Sequence, residues 1–217
     1  MPLRRAISIA VDAVNGVSRM LGIAARVPEP TPDDLLAEVE LEEVPESVRR
    51  ARSVLGQGLY CLGAGGREPK ALHPFGMCAK PKDPKHRRHA GKKLCADCSG
   101  FADWCLGWTR NDPVYGWRYC DSIFADAKKP VPGDLGHEVP IADVEPGDLV
   151  VYRSQDTDGD GDRDLIGHIG IVSAVPVAPA TWWNIRVIHC SSRGGAAVKE
   201  TDGAIWSKRG VVFRVRR

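Results

Sequence analysis

The segment Asp97-Cys98-Ser99-Gly100-Phe101 determines the interpretation of the whole chain. Apolar residues recur near one face after Cys98, which predicts a helix over 98–108. Asp97 is a typical N-cap residue for that helix, although its carboxylate is also able to accept backbone or substrate hydrogen bonds. The free N–H groups and partial positive charge at a helix N-terminus lower the pKa of a thiol and stabilise an oxyanion. The segment therefore predicts a nucleophilic cysteine.

The sequence on either side of this segment predicts an α+β domain. Upstream, Pro45 begins an amphipathic helical pattern that ends at Gly56, and residues 61–95 show no period and predict an extended loop. Downstream, β-branched and aromatic residues between turn signals predict strands. Helices that precede strands indicate a mostly antiparallel sheet covered by helices. The predicted strands are residues 148–152, 166–175, 183–189 and 211–215.

Two histidines of the predicted strands are candidate partners of the cysteine. His168 follows Gly167 and precedes Gly170, so its ring has room, and it is the candidate base. His189 lies on the next strand and is expected to orient that ring if the strands pair. A buried cysteine is more often inert packing, and a single strand histidine is more often structural. Their joint appearance in this order favours catalysis.

Five segments together resemble the NlpC-type cysteine peptidases, which cleave peptides of bacterial peptidoglycan. The resemblance spans roughly 47–217 and implies a papain-like α+β fold with Cys98 as nucleophile, His168 as base and His189 as orienting group. It places Tyr60 near the oxyanion, where a core aromatic is the alternative, and Asp97 and Ser99 in the substrate or oxyanion region. The segments are Leu55-Gly56-Gln57-Gly58-Leu59-Tyr60-Cys61-Leu62-Gly63-Ala64-Gly65-Gly66, Asp97-Cys98-Ser99-Gly100-Phe101, Pro146-Gly147-Asp148-Leu149-Val150, Gly167-His168-Ile169-Gly170-Ile171 and Val187-Ile188-His189.

The expected function is hydrolysis of amide bonds in peptidoglycan stem peptides through a thioester. An amidase of the CHAP type and a non-catalytic wall-binding or virion module are the alternatives. Residues 1–45 are predicted to be a helical extension and linker that docks onto a virion or delivery-complex partner, and 46–217 the peptidase domain, with insertions at 67–96 and 110–145. The predicted place of action is the bacterial cell wall, reached without a clear signal peptide.

Two secondary metal sites are predicted. Asp156, Asp158, Asp160, Asp162 and Asp164 alternate along one loop with Gly161 at its sixth position, which resembles a calcium loop of the EF-hand type without its final Glu. A solvated acidic turn is the alternative. In the first insertion, Cys78, His86, His89 and Cys95 are candidate zinc ligands, against a Cys78–Cys95 disulfide or free thiols.

Composition and charge exclude several classes of protein. Hydrophobic residues make up 43% of the 217 residues and charged residues 27%, which argues against a disordered chain. No stretch of apolar residues is long enough to predict a transmembrane helix. The net charge is +2, with eight acids over 29–46 and seven bases over 80–93. The basic run lacks interleaved aromatics, so nucleic-acid binding is not expected.

Overall fold

The computed structural model describes residues 44–78, Lys82, 91–113, 116–129, 135–156, 165–193 and 196–216. These belong to one compact unit, Val44–Arg217. The extension and linker predicted before residue 44 lie outside the described residues. Among the residues that are described, no helix is long and apolar enough to cross a membrane.

A central antiparallel sheet of six strands organises the domain, in the spatial order β5-β10-β6-β7-β8-β9. Two smaller pairs lie outside it: β1 pairs with β2 in parallel, and β3 pairs with β4. The strands are β1 Leu59–Tyr60, β2 Cys95–Ala96, β3 Asn111–Asp112, β4 Gly116–Trp117, β5 Gly136–Val139, β6 Leu149–Tyr152, β7 His168–Ala174, β8 Arg186–Cys190, β9 Val198–Asp202 and β10 Val211–Val215.

Three α-helices are present in the described part of the chain, α1 Glu46–Ser53, α2 Cys98–Cys105 and α3 Cys120–Ala127. Pro45 precedes α1, where a fixed φ suits the start of a helix. Every residue of α2 is buried, including the polar Ser99 and Asp103. Two 3-10 helices, Ile141–Asp143 and Gly203–Trp206, complete the regular structure of these residues.

Both faces of the sheet are covered, as the alternation of its strands requires. Ile169, Ile171 and Ile188 belong to the core cluster that contains the helices, together with Phe101 of α2. Val150, Val172, Val187 and Val212 belong to a second cluster, which contains Trp206 of the 3-10 helix. Helix α2 is therefore fixed against the centre of the sheet.

The α+β fold predicted from the sequence is confirmed, and each of the four predicted strands is present. The helix predicted over 98–108 ends at Cys105. The elements that were not predicted include α3, the short strands β1 to β4, the two 3-10 helices and the two edge strands β5 and β9. The predicted insertion at 110–145 contains β5, which pairs with β10 at the edge of the central sheet.

Candidate active site

Cys98 is the first residue of α2. Strand β2 ends at Ala96, so Asp97 alone separates the strand from the helix. The side chain of Asp97 accepts a hydrogen bond from the Gly100 amide at 2.8 Å, so Asp97 caps the helix. Only 3% of Cys98 is exposed, at the floor of a cleft. The fold thus places the thiol where the helix end favours its ionised form.

Asp97 forms a buried ion pair with Arg110. Its two carboxylate oxygens accept bonds from the Arg110 guanidinium at 2.7 and 2.6 Å, and a further bond from the Gly63 amide at 2.6 Å. Ser99 donates to Asp97 at 3.2 Å and accepts from Arg110 at 3.0 Å. The polar atoms of Asp97 and Ser99 are therefore engaged within the protein. Both residues also line the cleft at Cys98, so their predicted place in the substrate or oxyanion region stays a prediction.

The thiol of Cys98 lies beside a second buried thiol, that of Cys120, with the two sulfur atoms 3.6 Å apart. The hydrogen bond from Cys120 is the largest cause that lowers the pKa of Cys98 to about 5. Burial opposes ionisation, while the positive charge of His168 and its hydrogen bond favour it. The pKa of Cys120 is raised well above its usual value by the same contact and by burial. These opposite shifts in pKa favour ionisation at Cys98 rather than at Cys120, with the Cys120 thiol as the donor.

His168 and His189 form a hydrogen-bonded pair across β7 and β8. Nε2 of His168 lies 2.7 Å from Nδ1 of His189, and Nε2 of His189 lies 3.3 Å from Oγ1 of Thr201. Burial and then the charge of His168 lower the pKa of His189 to about 3, so His189 is neutral. When His168 carries its positive charge, both of its ring nitrogens are protonated, so Nε2 of His168 donates to Nδ1 of His189. The single proton of neutral His189 then lies on Nε2, towards Thr201.

Packing fixes the orientation of this histidine pair. The ring of Trp206 stacks on His168 with centroids 5.0 Å apart and an angle of 9° between planes, and it meets His189 edge-on. Gly170 lies opposite His189 in the strand register. A Cβ at Gly170 would lie 2.6 Å from Val187 Cγ1 and 3.1 Å from His189 Cβ. The close approach of the two strands here requires glycine.

Tyr60 lies on β1, paired with Ala96, two residues before the nucleophile. It packs against the core cluster that contains Cys98 and is only partly buried. Burial, followed by the charge of Cys98, raises the pKa of Tyr60 well above its usual value. Its hydroxyl therefore stays protonated and is able to donate a hydrogen bond. Both the predicted oxyanion role and the core-aromatic alternative are compatible with this position.

A cleft of about 470 Å³ opens over Cys98. Leu62 and Ile166 contribute apolar surface on its walls, and Ile166 is 58% exposed. Tyr119, Asp121 and Ser154 contribute polar groups.

The predicted metal sites fall largely outside the described residues. Of the proposed calcium ligands only Asp156 is described, so that site stays a prediction. His86 and His89 of the proposed zinc set are likewise outside the described residues. Cys78 and Cys95 do lie close together, and they are joined by Cys61, which the sequence analysis did not include. All seven cysteines are free of disulfide bonds.

Four functional side chains were not predicted: Arg110, Cys120, Thr201 and Trp206. Cys120 and Trp206 are separated from Cys98 and His168 by many residues, and only the folded chain brings them together. Thr201 belongs to β9, which was itself missed. An isolated arginine after a helix carries no local signal that identifies Arg110 as the partner of Asp97. A carboxylate that is buried beside a thiol needs a cation partner, so Asp97 itself was the one sequence feature that pointed to an arginine.

Comparison with known proteins gives structural neighbours only. No protein-family model and no curated protein sequence matches the chain. The chain is similar in fold to NlpC2 from Trichomonas vaginalis, with 18% identity, 79% of this chain and 44% of that chain covered, and a TM-score of 0.40. It is also similar to an NLP/P60-family protein from Staphylococcus aureus described as "similar to lipoprotein", with 16% identity, 90% and 46% coverage, and a TM-score of 0.43. The chain spans less than half the length of either neighbour.

Proposed function

We propose that this chain is a cysteine hydrolase that cleaves amide bonds in the stem peptides of bacterial peptidoglycan. The observation that carries the proposal is the buried thiol of Cys98 at a helix N-terminus, 3.6 Å from the Cys120 sulfur, with its pKa lowered by that thiol and by His168. A thiolate, an imidazole and a group that orients the imidazole are the parts that acyl transfer to cysteine needs. The substrate class rests on the five sequence motifs described above.

In the proposed reaction the Cys98 thiolate attacks the carbonyl carbon of the scissile amide. The resulting oxyanion is stabilised by backbone N–H groups at the start of α2, and by the hydroxyl of Tyr60. His168 protonates the leaving amine as the C–N bond breaks, which leaves a thioester on Cys98. His168 then takes a proton from water, which attacks the thioester and releases the acid and the thiolate.

His189 is a positioning residue in this scheme. Because it stays neutral and accepts from His168, it holds the tautomer and ring orientation in which His168 faces the thiolate. Trp206 supports the same orientation through its stacked ring. Thr201 completes the chain of hydrogen bonds by fixing His189 itself.

Digestion of purified peptidoglycan, with mass spectrometry of the released fragments, tests the proposal. The wild-type chain is expected to release peptides, and Cys98→Ala to lower the rate by about 10⁴-fold or more. Cys105→Ala is the matched control, since Cys105 is a buried thiol at the other end of the same helix. The proposal is wrong if Cys98→Ala releases fragments as fast as the control.

The same experiment separates the alternatives. Fragments cut between glycan and peptide indicate an amidase of the CHAP type, whereas fragments cut within the stem peptide indicate a peptidase. A non-catalytic wall-binding or virion module is expected to bind peptidoglycan equally well with and without Cys98 and to release nothing. Action at the bacterial wall, delivery by a virion and docking through residues 1–45 stay predictions, since 1–43 lie outside the described residues.

A further inference from the structure

A second group of sulfur atoms lies between α1 and α2, apart from the nucleophile. The sulfur atoms of Cys61, Cys78 and Cys95 all lie within 4.8 Å of one another. These three cysteines are 0%, 7% and 0% exposed. The closest two sulfur atoms, those of Cys61 and Cys78, are 2.7 Å apart. The proposed hydrolytic site does not use this cluster.

Backbone hydrogen bonds bring these three cysteines together. Cys95 begins β2 and lies beside Leu59 of β1, and the amide of Cys61 donates to the Ala96 carbonyl at 3.0 Å. On its other side, Cys95 exchanges two backbone hydrogen bonds with Gly76, of 2.8 and 3.0 Å. Three extended segments thus converge, each contributing one thiol. The backbone hydrogen bonds, rather than the choice of side-chain rotamers, bring the three thiols together.

The surroundings of these thiols offer little hydrophobic stabilisation. Besides the cysteines, the cluster contains buried Ala64 and partly buried Leu59. It is separate from the clusters on either face of the sheet. Segments that bury few apolar side chains are commonly stabilised by a bound metal or a covalent crosslink.

We propose that Cys61, Cys78 and Cys95 bind one zinc ion through three thiolates. Zinc binds thiolates at about 2.3 Å with tetrahedral geometry, so its sulfur ligands are about 3.8 Å apart. The three sulfur atoms lie within 4.8 Å of one another, and those of Cys61 and Cys78, now 2.7 Å apart, would separate by about 1.1 Å on binding. Binding replaces the proton of each thiol, and the protons pass to solvent. The fourth position is taken by water or by another side chain, and the proposal rests on the three thiols alone.

A disulfide between Cys61 and Cys78 is the competing explanation of their short separation. A disulfide would join two sulfur atoms, and it would not explain why the third thiol, that of Cys95, lies beside them. A metal ion requires at least three ligands in mutual reach, which is the arrangement observed. The cluster therefore favours a metal over a crosslink.

The proposed ion would brace the catalytic region. Cys61 directly follows Tyr60, and β2 leads from Cys95 through Ala96 into Asp97 and the nucleophile. We expect removal of zinc from the full chain to lower its melting temperature. Hydrolysis is expected to fall less than it falls on loss of Cys98, because the ion touches no reacting atom.

Metal analysis of the full chain, purified under reducing conditions from zinc-supplemented cells, tests the proposal without reference to hydrolysis. The expected result is about one zinc per chain, with X-ray absorption showing about three sulfur neighbours at ~2.3 Å. This measurement uses the wild-type chain, so it does not depend on whether a variant folds. A chain that contains no zinc after supplementation overturns the proposal, as does a Cys61–Cys78 disulfide in peptides from the non-reduced protein.

Matched variants locate the ion. Cys78→Ser is expected to lower zinc affinity by at least about tenfold, while Cys105→Ser, at a buried thiol outside the cluster, keeps it. Cys98→Ala is also expected to keep the ion. Loss of zinc in Cys98→Ala but not in Cys78→Ser places the metal at the nucleophile and contradicts the proposal.

Discussion

Cys98 and Cys95 lie only three residues apart, are similarly buried, and differ sharply in acidity. A thiol donor and the charge of His168 help to lower the pKa of Cys98 to about 5 against the effect of burial. The neighbours of Cys95 are two further thiols, and burial together with their negative charge raises its pKa to about 12. Burial raises the pKa of both thiols, and the groups beside each thiol decide whether that effect is overcome.

The largest expected effect follows from removing the cation that supports the nucleophile loop. Arg110→Met leaves the carboxylate of Asp97 buried without its partner, and breaking such a pair costs about 3–5 kcal/mol. Denaturant unfolding measures the loss. The control is Arg49→Met, whose pair with Glu46 is exposed and contributes less than about 1 kcal/mol. Equal losses in the two variants would contradict the assigned importance of Arg110.

Loss of the orienting group should weaken catalysis without removing the thiolate. His189→Leu is expected to lower kcat/KM by about 100-fold, because His168 loses the acceptor that fixes its tautomer. His189→Asn retains an oxygen acceptor and is expected to recover about tenfold of that loss. If Asn and Leu are equally impaired while both fold as stably as wild type, His189 does not act by accepting from His168.

The smallest expected effect concerns Cys120. Cys120→Ala removes the thiol donor, so the pKa of Cys98 rises and the acid limb of kcat/KM moves to higher pH. A hydrogen bond to a charged group contributes about 1.5 kcal/mol, which corresponds to roughly one pH unit. Cys120→Ser keeps a donor and is expected to retain the wild-type profile. An unchanged pH profile in Cys120→Ala would show that the Cys120 thiol does not lower the pKa of Cys98.

The sequence predicted the parts of this site that have local signals. The N-cap aspartate, the cysteine after it and the flanked histidine each belong to short segments with a recognisable pattern. The edge strands were missed because β9, Val-Lys-Glu-Thr-Asp, is polar and β5, Gly-His-Glu-Val, is short. Pairing with neighbouring strands stabilises both, and such pairing has no local signal.

The grouping of the cysteines was likewise only partly predictable from the sequence. The spacing of Cys78 and Cys95 suggested a common site, but Cys61 joins them through the β1–β2 pair, whose strands are two residues each. Cys120 reaches Cys98 in the same way, from a helix that the sequence pattern did not predict. Contacts between distant segments decide which cysteines are partnered, and one sequence does not reveal them.

The rate of alkylation of Cys98 by iodoacetamide, followed against pH by mass spectrometry of its peptide, shows whether Cys98 is ionised at neutral pH. The reagent reacts with the thiolate, so the rate reports the ionised fraction. We expect a midpoint near pH 5, as the lowered pKa of Cys98 requires, and a higher midpoint in His168→Gln. A midpoint near the ordinary cysteine value of about 8.5 in the wild-type chain would contradict the account.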